Sequence, residues 1–189
     1  MTEPPRLTPR QLDIVGEIFG AAAIQTDTGI RIGDKTWPVV DGVIILDGAL
    51  GTDEAAKAEV IRSFGSEWES FSQMAPEHQQ EFDSYFDHVD VPALAGKTVA
   101  DLGCGMGRWS RILLERTRPR FLVCVDLSDA IFVARHNLAA HDDVIFIKAD
   151  LEKLTFGGFR FDFAFSLGVL HHIPGGIDRA LARIAGYCD

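Results

Sequence analysis

The stretch Val99-Ala100-Asp101-Leu102-Gly103-Cys104-Gly105-Met106-Gly107 decides the fold of this 189-residue chain. An apolar run that ends in glycines at alternate positions is typical of a β-strand that turns directly into a helix. Glycine accepts positive φ angles and lets a ligand approach the backbone closely. The helix after the turn directs its positive end toward the same place. The stretch therefore predicts a ligand-binding turn at the edge of a sheet.

Strands and helices alternate after this turn. Thr98 begins the first strand, and the later apolar runs predict strands over 121–125, 144–147 and 161–166. Helices are predicted over 109–115, 128–139 and 177–185, with Ser128 as the N-cap of the second. Apolar strands separated by helices imply a parallel sheet covered on both faces. We therefore expect an α/β, Rossmann-like domain over residues 96–189.

Two regions of different texture precede this domain. Residues 1–52 contain one short helical pattern and then short apolar runs separated by turn signals such as Asp41-Gly42, which predicts a small β-rich unit. Residues 53–95 are helical and aromatic, with helical spacing in Phe64, Trp68 and Phe71 and again in Phe82, Tyr85 and Phe86. These rings are interpreted as the packing faces of connecting helices. The alternative is that some of them close over a ligand as a lid.

The glycine pattern does not fit a dinucleotide site. The GxGxxG signature would need glycine at position 108 or 110, where the chain has Arg108 and Ser110. Asp101, just before the first glycine, also suits a cationic or amino-bearing ligand better than a pyrophosphate. An NAD-dependent oxidoreductase is therefore the less favoured interpretation.

The stretch from Val99 to Trp109 resembles motif I of the class I S-adenosylmethionine-dependent methyltransferases. Asp126 ends the second strand, where an acid can accept hydrogen bonds from both ribose hydroxyls. The resemblance places an adenine-reading acid at Asp150 with Leu151 as its backbone partner, and a backbone contact to the cofactor at Leu167. The alternatives are a capping or surface acid at 126 and a solvated loop acid at 150.

The resemblance implies a cofactor site for S-adenosylmethionine, with S-adenosylhomocysteine as the product. Its expected members are Asp101, Gly103, Cys104, Gly105, Gly107, Asp126, Leu127, Asp150, Leu151 and Leu167. Phe161 to Pro174 resembles motif IV and its extension, and His171 within it is the candidate general base. The adjacent His172 is interpreted as structural, and no metal site is expected.

The resemblance is looser at the two ends of the chain. The segment 37–43 resembles part of a zinc-ribbon-like domain that precedes the core in many such methyltransferases. No cysteine precedes Cys104, so a cysteine-ligated zinc is excluded. A complete core of this class has further strands after the four predicted here. We expect the chain to be a fragment, or the edge of the fourth strand to be covered; an open edge predicts self-association.

Composition narrows the class of acceptor. A formal net charge of −10 disfavours a nucleic-acid substrate and favours a small-molecule acceptor. The three cysteines are far apart, which argues against a disulfide framework. Since no apolar run is long enough to span a bilayer and the start does not resemble a signal peptide, a cytoplasmic protein is expected. The alternative function is a cofactor-binding module without turnover.

Overall fold

The computed structural model describes residues 6–46, 76–172 and 177–188, and within them one eight-stranded sheet with the order β1-β2-β3-β4-β7-β6-β5-β8. The strands are β1 (Ala23–Gln25), β2 (Gly29–Ile32), β3 (Lys35–Val40), β4 (Val43–Ile45), β5 (Thr98–Leu102), β6 (Phe121–Asp126), β7 (Val144–Lys148) and β8 (Phe163–Phe165). The helices are α1 (Pro9–Phe19), α2 (Pro76–Tyr85), α3 (Arg108–Arg116), α4 (Ala130–Asn137) and α5 (Ile177–Ala185), with short 3-10 turns at Val91–Leu94 and Leu170–His172.

The four strands from the second half of the chain are parallel, as the sequence predicts. β5 lies between β6 and β8, and β6 pairs with β7 on its other side. Helices α2, α3 and α4 pack on one face of the sheet, while α1 and the segment around Leu154 and Phe156 pack on the other. β5, β6 and β7 are buried almost throughout, because both faces are covered. The predicted Rossmann-like α/β fold is confirmed.

Two elements differ from the sequence prediction by two residues at a boundary. Strand β8 is shorter than 161–166, because the Asp162 carboxylate accepts hydrogen bonds from the Thr98 backbone N–H and hydroxyl, both at 2.8 Å. Helix α4 begins at Ala130, with Asp129 rather than Ser128 at the N-cap position. The Ser128 hydroxyl accepts the Ala130 N–H at 3.3 Å and donates to Asp126. Both differences arise from polar side chains that bond to neighbouring backbone or strands.

The N-terminal strands continue the same sheet. β1 to β4 form an antiparallel meander, and β4 then pairs in parallel with β7, with Val43 opposite Phe146. Asp41 and Gly42 both have positive φ, at 47° and 74°, which fits the tight turn between β3 and β4. The meander therefore occupies the edge of the parallel sheet beside β7. The expected domain boundaries at 52 and 95 stay predictions.

Helix α1 joins the meander to the parallel sheet. Thr8 and Gln11 form a reciprocal capping box at its start, and Pro9 occupies the first turn. The Gln11 side-chain amide also donates to the Val144 carbonyl at 2.9 Å. Gly20 ends the helix in the left-handed region, at φ 72°.

Helix α2 carries the second aromatic group of the 53–95 region. The rings of Phe82 and Phe86 are stacked at 4.2 Å, and Phe86 packs edge-on against Phe165 of the sheet. The packing interpretation is correct for these two rings. Tyr85 is exposed and contacts the Trp109 ring edge-on at 5.5 Å. The other predicted aromatic face, Phe64, Trp68 and Phe71, lies outside the described residues.

The structure bears only in part on the expectations about membranes, location and self-association. Among the described residues, no helix is long and apolar enough to cross a membrane. β8 lies at one end of the strand order. Self-association through that edge and a cytoplasmic location stay predictions.

Candidate functional site

The glycine turn lies at the carboxyl end of β5. Gly103, Gly105 and Gly107 have φ angles of 89°, 53° and 77°, which residues with side chains rarely adopt. The backbone N–H groups of Gly103 and Cys104 donate to the Val125 carbonyl at 2.7 and 3.0 Å. The turn is therefore fixed to the end of the neighbouring strand β6.

The surroundings of the glycines differ. A Cβ atom at Gly103 would lie 2.3 Å from a Val169 methyl group, and one at Gly107 would lie 3.1 Å from the Ala134 Cβ. Gly105 would meet nothing within 4 Å. Two of the glycines are therefore required for packing, whereas Gly105 borders open space that a ligand can enter.

Asp126 connects the end of β6 to this turn. One carboxylate oxygen accepts the Gly105 backbone N–H at 2.8 Å, and the other accepts the Ser128 N–H at 2.8 Å and hydroxyl at 2.7 Å. The next residue, Leu127, is a large apolar side chain that is 53% exposed. A partly buried carboxylate thus lies beside an accessible apolar surface and the open side of Gly105.

Asp101 lies beneath the turn, not at its mouth. It is 1% exposed, and its carboxylate accepts the Ser110 hydroxyl at 2.7 Å. Burial raises the pKa of Asp101 to about 7, an effect that the Ser110 hydrogen bond opposes and the nearby Asp126 charge reinforces. Asp101 therefore supports the turn through α3.

The buried thiol of Cys104 lies in the same region. Its Sγ is 3.5 Å from the Gly105 carbonyl oxygen. Burial, followed by the contact with Cys124, raises the pKa of the Cys104 thiol well above its ordinary value. A neutral buried thiol is a packing residue, not a nucleophile. Among the expected site members, Cys104 shapes the floor of the turn.

The raised pKa of Asp101 predicts a pH-dependent stability. The folded chain keeps this proton up to about pH 7, whereas the unfolded chain releases it near the ordinary value of 3.8. The folded state therefore binds more protons in this window, and stability falls as the pH rises from about 4 to about 7. Asp101→Asn keeps an acceptor for Ser110 but cannot ionise. We expect the variant to gain roughly 2–4 kcal/mol relative to the parent across this window.

Urea unfolding of both proteins at several pH values measures this difference. Asp162→Asn is the control. The contribution of Asp162 to stability should change with pH in the opposite direction, because hydrogen bonds from Thr98 lower the pKa of Asp162. The stabilisation by Asp162 is present above its unfolded pKa and is lost as the pH falls. An Asp101→Asn effect that is constant from about pH 4 to 8 would contradict the assignment.

Asp150 follows β7, which lies beside β6 on the side away from β5 and the glycine turn. The two strand ends are joined by a 3.0 Å hydrogen bond from the Ala149 N–H to the Asp126 carbonyl. One oxygen of Asp150 accepts the Glu152 N–H at 2.9 Å, and the other lies 3.4 Å from the Lys153 ammonium. The Leu151 side chain packs in the core, so only its backbone is suited to ligand recognition.

The loop after β8 contains the remaining expected residues. Ser166 donates to the Leu102 carbonyl at 2.6 Å and thereby joins this loop to the end of β5. Leu167 is half-buried against the core, and Gly168 has φ 74° with nothing within 4 Å of a built Cβ. His171 is exposed in the following 3-10 turn. The loop thus has a second open glycine and an accessible imidazole.

Three residues contribute to the site in roles that the sequence pattern did not predict. Ser110 bonds to Asp101, Ser128 bonds to Asp126, and the Asn137 side-chain amide donates to the Met106 carbonyl at 2.9 Å. The spacing Asp126-x-Ser128 is an Asx-turn signal that could have identified Ser128. The Asn137 contact joins residues far apart in sequence and has no local signal.

The fold and this geometry together define a class of site. The ends of β5, β6, β7 and β8 place a glycine turn, two carboxylates and an open loop along the carboxyl edge of a parallel sheet. Ligands of open α/β proteins bind at this edge, and nucleotide-like ligands do so beside a glycine turn at a helix N-terminus. The open glycines, the exposed Leu127 and the carboxylates at the strand ends fit a ligand that contains a nucleoside.

Comparison with known proteins identifies the domain. Residues 99–188 match the family described as a methyltransferase domain. This part of the chain is therefore a class I, Rossmann-like methyltransferase domain, and the cofactor of this class is S-adenosylmethionine.

Individual relatives match over part of their length. The chain is 35% identical over 95 residues to the tRNA U34 carboxymethyltransferase of Aliarcobacter butzleri, a match that covers 48% of this chain and 31% of that protein. It is 25% identical over 114 residues to the malonyl-[acyl-carrier protein] O-methyltransferase of Legionella pneumophila, covering 60% and 40%. The chain thus spans between 31% and 40% of the length of these curated relatives.

A solved structure with a similar arrangement is magnesium protoporphyrin IX methyltransferase from Synechocystis PCC 6803 with bound S-adenosylmethionine. The two chains share 24% sequence identity at a TM-score of 0.49, and the match covers 76% of this chain and 75% of the other.

Proposed function

We propose that this chain binds S-adenosylmethionine at the carboxyl edge of the sheet and transfers its methyl group to a small-molecule acceptor, releasing S-adenosylhomocysteine. The observation that carries the proposal is the pairing of Gly105 with Asp126. Gly105 borders open space while its N–H holds the Asp126 carboxylate at 2.8 Å. The acid that can bind a ribose is thus fixed beside the glycine that lets a ligand approach.

Five of the expected residues have a direct role in binding the cofactor in this proposal. Asp126 accepts hydrogen bonds from the ribose hydroxyls, and the exposed Leu127 side chain provides an apolar surface for the base. Asp150 accepts from the exocyclic amine of adenine, and the backbone of Leu151 and of Leu167 lines the remaining edge. When bound, the cofactor supplies a methyl group that its sulfonium sulfur makes electrophilic.

The chain's own contribution to the reaction is alignment and proton removal. Alignment of two reactants in one crevice is a large source of rate acceleration. His171 is the proposed general base for an acceptor that carries a proton, since it is exposed just after the loop that ends β8. His171 would act on the acceptor only, so its loss should not affect cofactor affinity.

The charge of the chain supports a small-molecule acceptor. The net charge of −10 supports a small molecule, because nucleic-acid binding needs clustered cations. The name of one reported relative favours RNA as a competing acceptor, and the name of the other favours a carrier protein. These three acceptor classes are distinguishable by one assay.

Formation of S-adenosylhomocysteine, measured with a panel of small metabolites, with bulk tRNA and with malonyl-acyl carrier protein, tests the proposal. We expect turnover with a member of the metabolite panel and none with the two macromolecules. His171→Ala should lower kcat by about a hundredfold, as loss of a general base does, with unchanged S-adenosylhomocysteine affinity. Turnover with tRNA alone would replace the small-molecule acceptor by RNA. Cofactor binding without turnover on any acceptor would favour a binding module.

A further inference from the structure

A second cleft, of about 330 Å³, lies between the N-terminal meander and the loop after β7. This volume is at the lower end of the range of small-molecule sites. Apolar side chains from both sides line it, principally Phe19, Ile32, Trp37 and Leu154. Of the expected cofactor residues, only Asp150 borders this cleft.

The walls of this meander cleft are held together by direct backbone contact. A Cβ atom at Gly157 would lie 2.5 Å from the Phe19 carbonyl oxygen, so the loop after β7 touches the end of α1. The Phe19 ring packs against Trp37 at 5.6 Å and against Phe156 at 6.1 Å. The Leu46 N–H donates to the Lys148 carbonyl at 3.0 Å on the remaining side. The aromatic surface is thus preformed.

Positively charged groups outnumber negatively charged groups in the lining of the cleft. Lys35 lies with its ammonium 6.0 Å from the Trp37 ring centroid, and the Lys153 side chain is 75% exposed. Both lysines line the cleft, together with the single carboxylate of Asp150, which lies 3.4 Å from the Lys153 ammonium. Two cations against one anion give a locally positive mouth on a chain whose formal net charge is −10.

We propose that the meander cleft binds a small aromatic carboxylate. The flat ring contacts Phe19 and Trp37, where preformed aromatic surfaces favour stacked or edge-on packing. The carboxylate pairs with Lys35 and Lys153, because charge-assisted hydrogen bonds favour an anion at this mouth. This site shares only Asp150 with the proposed methyl-transfer site and does not depend on methyl transfer.

The probe for this site is 2-naphthoate, titrated calorimetrically into the full chain with and without saturating S-adenosylhomocysteine. We expect saturable binding in both cases, since the two sites share only Asp150. The uncharged analogue 2-naphthamide should bind at least about tenfold more weakly, because it lacks the carboxylate. Displacement of 2-naphthoate by S-adenosylhomocysteine would place the probe in the cofactor crevice and overturn the proposal.

Matched variants distinguish ion pairing inside the cleft from a general effect of the chain's charge on binding. Lys35→Gln and Lys153→Gln should each weaken 2-naphthoate binding roughly three- to fivefold, as expected for a partly exposed ion pair. Lys97→Gln removes the same charge from a lysine that pairs with an acid, as Lys153 does, but does not line the cleft, and it should leave the affinity unchanged. Equal effects of all three variants, or no binding of 2-naphthoate below about 1 mM, would refute the site.

Discussion

Replacing Asp126 by alanine should weaken the binding of S-adenosylhomocysteine by about a hundredfold, as loss of charge-assisted hydrogen bonds to a ligand does. The same change removes the acceptor of the Gly105 N–H and of the Ser128 N–H and hydroxyl. The turn would then lose the contact that fixes its open glycine. Both consequences act in the same direction, which is why this substitution has one of the largest expected effects. Isothermal titration calorimetry measures it directly.

Two further variants distinguish the loss of the Asp126 charge from the loss of its hydrogen bonds and from the loss of an acid elsewhere on the chain. Asp126→Asn keeps one side-chain oxygen as an acceptor but loses the charge, and we expect it to bind with an affinity between those of the parent and Asp126→Ala. Asp142→Ala removes an exposed acid near the opposite ends of the strands, and it should leave the affinity unchanged. An Asp126→Ala protein that is folded and binds S-adenosylhomocysteine within about twofold of the parent would exclude this residue from the site.

Local signals in the sequence were sufficient to predict the parallel half of the sheet. The apolar runs that became β5, β6 and β7 are continuous because both faces of the sheet are covered. The glycines of the turn could be recognised because each needs a positive φ, which is a property of the residue itself. The position of Asp126 follows from the end of an apolar run. Features of this kind depend on few distant contacts.

The arrangement of the N-terminal half could not be predicted in the same way. Its strands and turns were recognised, but the parallel pairing of β4 with β7 joins Val43 to Phe146, and no local pattern specifies such a partner. The meander cleft exists only because of that pairing. The burial of Asp101 was also hidden, since an acid before a glycine turn has the same sequence whether it faces a ligand or Ser110.

The open side of Gly105 gives the second large prediction. Substitution by alanine and then by valine should weaken S-adenosylhomocysteine binding progressively, by about tenfold and then by about a thousandfold, because each added carbon enters space needed for close backbone approach. The left-handed φ of 53° also makes any side chain unfavourable there. Destabilisation and loss of binding must therefore be measured separately.

Gly96 is the matched control. Its φ is 74°, and a Cβ built there also meets nothing within 4 Å, but it lies just before β5 at the end opposite the glycine turn. Alanine and valine at either position should therefore lower stability by a similar amount, about 1–2 kcal/mol per substitution. Only the Gly105 variants should lose affinity in calorimetry. If Gly96→Val weakens binding as much as Gly105→Val does, backbone strain rather than ligand contact explains the result, and Gly105 does not border the cofactor.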